Sequence, residues 1–145
     1  MDNLGSINRH ISLIYRFGRR FLSRELKQIN IDVGQYPFLM VILNRPDMTQ
    51  EQLSDFLGMD RGVTARSVAA LEAQGLIIRK VDKLDKRVNH IYPTDKAIAL
   101  SGEIFKISHS LHEVFLDGFS NEEKQQISDY ILRIEKNIRR KFDNE

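Results

Sequence analysis

The chain contains no cysteine, and this absence excludes three kinds of chemistry at once. Without thiols it forms no disulfide, cannot sense oxidants through a thiol and offers no thiolate ligand to a metal. No apolar run approaches the roughly 18 residues that a membrane span needs. The stretch Met1–Gly5 lacks the basic and apolar regions of a signal peptide. We therefore expect a cytoplasmic protein with no membrane partner.

Signatures of catalysis are missing from the sequence as well. It shows no Ser-His-Asp set, no glycine-rich phosphate loop and no paired carboxylates that would mark a catalytic cleft. We therefore predict that the protein is not an enzyme and needs no cofactor. Lys and Arg number 22 against 20 Asp and Glu, a net charge of +2. Any argument for nucleic-acid binding must therefore depend on where the charges lie, because their sum is small.

The stretch from Thr49 onward has the pattern of a helix-turn-helix. Thr49 and Gln52 have the spacing of a capping box, which predicts that a helix begins here. Gly58 tolerates the left-handed conformation that ends a helix, and Asp60 can cap the next one. A second helix is predicted from about residue 61 to 74, with arginines near its start. Two short helices joined by a tight glycine turn are typical of DNA-binding proteins.

A charged hairpin is predicted directly after the second helix. Residues 76–81 and 88–92 read as strands, and residues 82–87 form a loop too charged to be buried. The alternative is a solvated charged turn, which is the usual role of such runs. Because this one follows a helix-turn-helix, we interpret it as a wing whose tip, residues 82–87, reaches a minor groove.

Long amphipathic helices are predicted at both ends of the chain. Apolar side chains recur every three or four residues along the N-terminal stretch, at Leu4, Ile7, Ile11, Ile14, Gly18 and Phe21. A C-terminal stripe comprises Ile127, Ile131, Ile134 and Ile138. These helices either pack on their own core or form a dimer. We favour the dimer, because so small a centre cannot cover them.

The resulting fold class is mainly α (α+β): a winged helix-turn-helix with about six helices and a two-stranded wing hairpin. We expect one domain, 1–145, with dimerisation helices in 1–30 and 98–145 and a DNA-binding lobe in 35–94. A helix from about residue 35 to 43 is apolar nearly all round and should form its buried centre.

Candidate DNA contacts lie at the helix starts and the wing tip. They are Thr49, Gln50, Arg61, Gly62, Arg66, Asp85, Lys86 and Arg87. Arg61 and Arg66 can bind guanine or touch phosphate. Arg87 is the best single candidate, held by Asp85, although such a pair can also be a weak surface ion pair. Thr64 is predicted to pack in the core, and Arg79 to pair with a carboxylate of the wing.

Two further kinds of site are weaker. A small-molecule site is predicted from side chains that mix apolar walls with a few polar groups: His10, Ile14, Tyr15, Arg16, Tyr36 and Phe38. The alternative is that these are core and dimer residues. His109 and His112 are spaced i, i+3 and could share a metal, but no third ligand is evident and we predict no metal site.

Several segments resemble the MarR family of bacterial transcription regulators (multiple antibiotic resistance regulators), and the resemblance covers nearly the whole chain. Residues 49–57 look like the third helix of the family, and residues 60–68 like the start of its recognition helix. Leu71-Glu72-Ala73-Gln74-Gly75-Leu76 is close to its exit into the wing, and Asp85-Lys86-Arg87 matches the Asp-x-Arg of its wing tip. Residues 92–97 depart at Pro93 and Ala97 from its Leu-Thr-Glu-Lys-Gly.

The resemblance implies a triangular homodimer held by the first, fifth and sixth helices. It also implies that the lobes bind consecutive major grooves of a palindromic operator on double-stranded DNA. Many members are repressors that small aromatic or phenolic ligands release. We therefore expect a homodimeric DNA-binding regulator, a repressor that a small aromatic or anionic effector releases. The alternative is a winged-helix module for protein–protein contacts without an operator.

Overall fold

The computed structural model describes residues 3–143, with side chains from residue 6 onward. The side chain of Leu4 and the ends of the predicted domain, residues 1–2 and 144–145, lie outside the described residues. The described helices are α1 (Asn3–Lys27), α2 (Tyr36–Asn44), α3 (Gln50–Leu57), α4 (Arg61–Ala73), α5 (Asp95–Phe115) and α6 (Asn121–Arg139). The described strands are β1 (Met48–Thr49), β2 (Ile77–Val81) and β3 (Asn89–Pro93). The mainly helical winged fold is thus confirmed.

The helix starts follow the capping pattern of the sequence. Thr49 Oγ1 accepts a hydrogen bond from the Gln52 amide at 3.1 Å, and Gln52 Oε1 accepts one from the Thr49 amide at 3.0 Å. At the start of α4, Asp60 Oδ1 accepts hydrogen bonds from the amides of Gly62 and Val63. Gly58 has a φ of +61°, the left-handed conformation that ends α3. The predicted caps and the turn between α3 and α4 are confirmed.

The sheet has a third strand that the sequence pattern did not predict. All pairs are antiparallel in the order β1-β3-β2, with Ile77 opposite Pro93 and Val81 opposite Asn89. Met48 and Thr49 pair with Ile91 and His90 on the other edge of β3. A two-residue strand is too short to show alternation, so only the hairpin was predicted.

The chain divides into two compact units, residues 1–111 and residues 112–145. The first unit contains the hydrophobic core. As predicted, α2 lies at its centre, with Phe38, Leu39 and Ile42 at most 1% exposed. Leu53 of α3, Val68 and Leu71 of α4, Ile77 of β2, Ile91 of β3 and Ile104 of α5 are buried with them. This core connects the two helices of the helix-turn-helix to the wing.

In the second unit, α6 begins with a capping box in which Ser120 and Glu123 bond each other's amides. None of its residues is buried, and Ile131, Ile134 and Ile138 are about half exposed (59%, 47% and 56%). In the first unit, Ile7, Ile11 and Ile14 of α1 are exposed to the same degree. Within the described part of the chain, no helix is both long and apolar enough to cross a membrane.

Candidate nucleic-acid interface

A buried pair of hydroxyl groups fixes α4 against α3. Ser54 Oγ donates a hydrogen bond to Thr64 Oγ1 at 2.7 Å, and Thr64 Oγ1 donates to the carbonyl oxygen of Asp60 at 3.0 Å. Thr64 is fully buried and Ser54 is 3% exposed. The prediction that Thr64 packs in the core is confirmed. The pair lies one turn into α4, so it sets the direction in which the start of this helix points.

The exposed start of α4 carries two arginines. Arg61 Nη2 lies 2.8 Å from Glu51 Oε1 of α3, and the two side chains are 72% and 65% exposed. Arg66 is also exposed, whereas Thr64 and Val68 face the core. Both arginines are therefore accessible to DNA. A surface ion pair of this kind contributes about 0–1 kcal/mol, so a phosphate can readily replace Glu51 as the partner of Arg61.

The space beside Gly62 is occupied by two neighbouring side chains, which explains a glycine at this position apart from any close approach to DNA. A Cβ atom at this position would lie 3.0 Å from Asp60 Oδ1 and 3.4 Å from Arg66 Nη1. The Asp60 carboxylate occupies that space because it caps α4. The absence of a side chain at Gly62 thus leaves room both for the cap and for Arg66.

The wing tip presents Arg87 in a defined orientation. Asp85 Oδ1 accepts hydrogen bonds from the amide and from Nε of Arg87 at 3.0 and 3.1 Å, and Oδ2 accepts one from Nη2 at 3.2 Å. The Arg87 side chain is nevertheless 91% exposed. Its hydrogen bonds also lower the pKa of Asp85. A guanidinium ordered at one edge and otherwise open to solvent suits insertion into a narrow groove of negative potential. Lys86 is exposed beside it.

Asp82 organises the base of the wing tip. Its Oδ1 accepts hydrogen bonds from the amides of Leu84 and Asp85 at 2.8 and 2.9 Å. Its Oδ2 lies 2.7 Å from Nε2 of His90 on β3. The hydrogen bond from His90 is the largest reason that the pKa of Asp82 is lowered from 3.8 to about 2, with the two amides contributing further.

His90 connects this turn to the loop before β1. Its Nδ1 lies 3.0 Å from Asp47 Oδ1 and 3.2 Å from the Asp47 carbonyl oxygen. The pKa of His90 is raised, chiefly by its hydrogen bond to Asp82 and then by the one to Asp47. Tyr92 donates its hydroxyl to Asp47 as well, which raises the pKa of Tyr92.

A polar cavity of about 310 Å³ separates the start of α3 from the wing. Its lining brings together four of the predicted DNA contacts, Thr49, Gln50, Arg61 and Arg87. Gln50 and Glu51 form the first turn of α3, whose free amide groups and positive dipole end favour an anion such as phosphate. Three arginines, counting Arg79, surround the same space.

The prediction that Arg79 pairs with a carboxylate of the wing was wrong. Its Nε lies 3.2 Å from Glu72 Oε2 near the end of α4, and not beside a wing carboxylate. Arg79 is two residues from the buried Ile77 and therefore lies on the face of β2 that packs on the helices. Asp82 and Asp85, at the far end of the hairpin, are engaged by His90 and Arg87 instead.

The candidate small-molecule residues do not share one environment. Phe38 is 0% exposed in the core of the first unit, which removes it from any open site. Tyr36 is half-buried at the start of α2, whereas Ile14 and Tyr15 of α1 are 54% and 63% exposed. His10 and Arg16 are exposed on the same helix. Across residues 3–143, no three His, Asp or Glu side chains are grouped as a metal site.

Three charged residues of this surface were not predicted from the sequence. Glu51 pairs with Arg61, 10 positions away, and Asp47 pairs with His90, 43 positions away. A local pattern does not reveal such pairs. His90 could have been noticed as a titratable group within a strand of the wing, and Asp47 as part of the Asn44–Asp47 turn.

The arrangement of α3, α4, the wing and their basic edge defines a winged helix-turn-helix DNA-binding protein. Comparison with known proteins agrees. A model of the MarR family matches residues 29–88. An uncharacterized HTH-type transcriptional regulator of Bacillus subtilis (strain 168), YybA, is 32% identical over 140 residues, which cover 97% of this chain and 93% of that protein. The chain belongs to the MarR family of transcription regulators.

Solved structures support the same assignment. A MarR protein from Peptoclostridium difficile superposes with a TM-score of 0.91 at 27% identity, over 99% of this chain and 93% of that one. A putative MarR family regulator from Listeria monocytogenes, complexed with a 26mer DNA, gives a TM-score of 0.84 at 30% identity. That match covers 90% of this chain and 87% of the other. The protein is a DNA-binding transcription regulator, and regulators of this family are not enzymes.

Proposed function

We propose that the chain acts as a homodimer that binds a palindromic operator and represses transcription. The observation that carries this proposal is an exposed basic edge, in which Arg61 and Arg87 line one cavity and Arg66 is exposed further along α4. In this arrangement the start of α4 enters a major groove and the wing tip reaches the adjacent minor groove. Thr49 and Gln50 lie at the start of α3, which in this arrangement contacts the phosphate backbone between the two grooves.

The dimer is supported by apolar side chains that the described chain leaves in solvent. On α1, Ile7, Ile11, Ile14 and Phe17 are 49–59% exposed. On α6, Ile131, Ile134 and Ile138 of the isoleucine stripe are equally exposed. Contiguous apolar faces of this kind on a folded chain mark an interface. Two lobes on one dimer then reach half-sites about 34–36 Å apart.

An effector is the second part of the proposal. The exposed Tyr15 and Arg16 of α1 offer an aromatic face and a guanidinium to a small aromatic or anionic ligand, as the family resemblance suggests. Salicylate, a small aromatic carboxylate, is a suitable first probe. We expect it to weaken operator binding in the native chain and to have less effect on the Arg16→Ala variant. Equal effects on both proteins would remove Arg16 from the site.

Selection of bound sequences from random duplex DNA tests operator binding directly. We expect an inverted repeat whose half-sites lie about one helical turn apart. Sedimentation equilibrium of the free chain should give twice the mass of 16.9 kDa. Placed before a reporter gene, the selected operator should lower expression when the regulator is present. If no sequence is enriched, the chain is better described as a protein–protein module.

Arg87→Ala tests the wing with a matched control. Loss of an arginine from the negative potential of the minor groove should weaken binding to the selected operator, while the mass of the dimer stays unchanged. Arg24→Ala removes the same charge from the exposed surface of α1, outside the start of α4 and the wing tip, and its dimer mass is checked in the same way. Both variants are compared at one salt concentration, because phosphate contacts are salt-dependent. Equal affinities for the two variants would reject the wing assignment.

A further inference from the structure

The ring of His90 lies between two acceptors, and this arrangement requires a particular charge state. Nε2 lies 2.7 Å from the Asp82 carboxylate, and Nδ1 lies 3.0 Å from the Asp47 carboxylate and 3.2 Å from the Asp47 carbonyl. All three neighbours are oxygens that accept hydrogen bonds. A neutral imidazole has only one N–H, so it would turn a lone pair toward one of them. Only the imidazolium donates on both sides.

The acceptors on the two sides belong to different parts of the lobe. Asp47 lies in the loop that leads into β1, and its amide donates to the carbonyl of Ile91 at 3.0 Å. Asp82 lies at the end of β2 and holds the amides of Leu84 and Asp85. Asp85 in turn holds Arg87. One chain of hydrogen bonds thus runs from the loop before β1, through His90, to the arginine of the wing tip.

The backbone of Asp47 indicates that this contact is maintained against a conformational cost. Asp47 has a φ of +79°, one of two non-glycine residues in the described chain with a left-handed backbone. Such a conformation is unfavourable for a residue with a side chain and persists where surrounding contacts fix it. Here it directs both the carbonyl and the carboxylate of Asp47 toward Nδ1 of His90.

The other groups that face His90 are a cation, a hydroxyl donor and an uncharged side chain. On β2 its cross-strand partner is Lys80, whose Nζ lies 4.7 Å from the centre of the Tyr92 ring. Tyr92, on the same strand as His90, donates to Asp47. On β1 the partner is the uncharged Thr49. The His90 side chain is 24% exposed and Asp82 is 30% exposed, so water screens the pair only in part.

We propose that the imidazolium of His90 clamps the wing tip to the loop before β1, and that loss of its proton loosens the tip and weakens its contact with DNA. The clamp itself follows from geometry, whereas the effect on DNA rests on the proposed function. The raised pKa of His90 supports the assignment, because it extends the charged form above the ordinary value of 6.5 toward neutral pH.

Solvent-exchange NMR of the free protein tests the clamp without DNA. The probes are the amides of Leu84 and Asp85, and the pH is varied from about 6 to about 8.5, across the titration range of histidine. After correction for intrinsic exchange, we expect protection to fall several-fold as the ring loses its proton and with it one of its two donated hydrogen bonds. The midpoint should coincide with the titration of the His90 ring.

His90→Gln should show low and pH-independent protection, because an amide cannot acquire the second charged contact. His109→Gln is the matched control: it removes an exposed imidazole from α5 and should behave as the native chain does. Asp47→Asn leaves His90 and Asp82 in place but removes one negative charge, so it should lower the pKa of His90 and shift the midpoint downward. Protection in the native chain that does not change with pH would overturn the clamp, as would an unshifted midpoint in Asp47→Asn.

Operator affinity at fixed salt provides the second readout. We expect native binding to weaken by the same factor over this pH range, and binding by His90→Gln to be weak throughout. If amide protection changes with pH but no DNA is bound at any pH, the clamp stands and the proposed operator function fails. If DNA is bound with no pH dependence while protection changes, the link between the clamp and DNA contact is wrong.

Discussion

The hydroxyl pair between α3 and α4 gives the sharpest test of how this lobe is held together. Thr64→Val keeps the shape of the side chain and removes its oxygen. Ser54 then loses its acceptor in a site that is 3% exposed, and a buried donor left without a partner costs about 1–3 kcal/mol. Ser54→Ala leaves Thr64 still donating to the Asp60 carbonyl. The Ser54→Ala cost should therefore be the smaller one, about 0.5–1.5 kcal/mol.

The double variant Ser54→Ala/Thr64→Val is the informative one. With both hydroxyls gone no donor remains unsatisfied, and replacing both partners of a hydrogen bond by apolar groups can be nearly neutral. We expect the double variant to be more stable than the sum of the single costs predicts, with a coupling of about 1 kcal/mol.

Urea unfolding at one protomer concentration measures all four proteins, because the stability of a dimer depends on concentration. A cost of 1 kcal/mol should also lower the melting temperature by roughly 2–4 °C in a chain of this size. Additivity of the single costs to within about 0.5 kcal/mol would refute the reasoning, since it would mean that the two hydroxyls do not depend on each other.

Three further predictions concern DNA reading, pH and the turn. If Arg66 or Arg61 reads a base, its alanine variant should lose about 1–3 kcal/mol on the operator and relax preference at one position, whereas a phosphate contact would weaken operator and scrambled DNA alike. Because the pKa of Asp82 is lowered, its ionised carboxylate stabilises the fold above pH 3.8, and this contribution should disappear as the pH falls toward about 2. Because the pKa of His90 is raised, its protonated ring stabilises the fold below pH 6.5, and this contribution should disappear as the pH rises through the raised pKa. Melting temperatures of the native chain and of His90→Gln should therefore differ most between these limits, and a constant difference across the pH range would contradict the assignment. Gly58→Ala should cost about 1–2 kcal/mol in thermal unfolding, because φ is +61° there and no atom crowds the new Cβ, while Gly58→Asn should cost less.

The elements that could be predicted from the sequence are those set by neighbouring residues. Thr49 with Gln52, Gly58 with Asp60, and Ser120 with Glu123 are caps or turns that act over two or three positions. Their backbone geometry follows from local hydrogen bonding, so the helix limits came out within about two residues, the usual uncertainty of helix ends. The burial of α2 followed equally from its uninterrupted apolar composition.

The partner of Arg79 could not be predicted in the same way. An arginine in a strand before a charged loop has acidic groups on both sides in sequence, at Glu72 and at Asp82. The alternation of the strand decides between them, since side chains two apart share a face and Ile77 faces the core. Applying that alternation to Ile77 would have placed Arg79 against the helices and so near Glu72.

The His90 clamp between the wing tip and the loop before β1 shows why a surface predicted to be basic depends on acidic residues. Asp47, Asp82 and Asp85 reduce the net charge of this edge, and by composition alone they weaken the case for DNA binding. In the folded lobe each one orients a cation or the turn that carries it: Asp85 orients Arg87, Asp82 organises the wing tip, and Asp47 holds His90. An arginine ordered before binding loses less conformational freedom when it meets DNA. A net charge of only +2 is therefore compatible with DNA binding here, because part of the negative charge orders the positive charge.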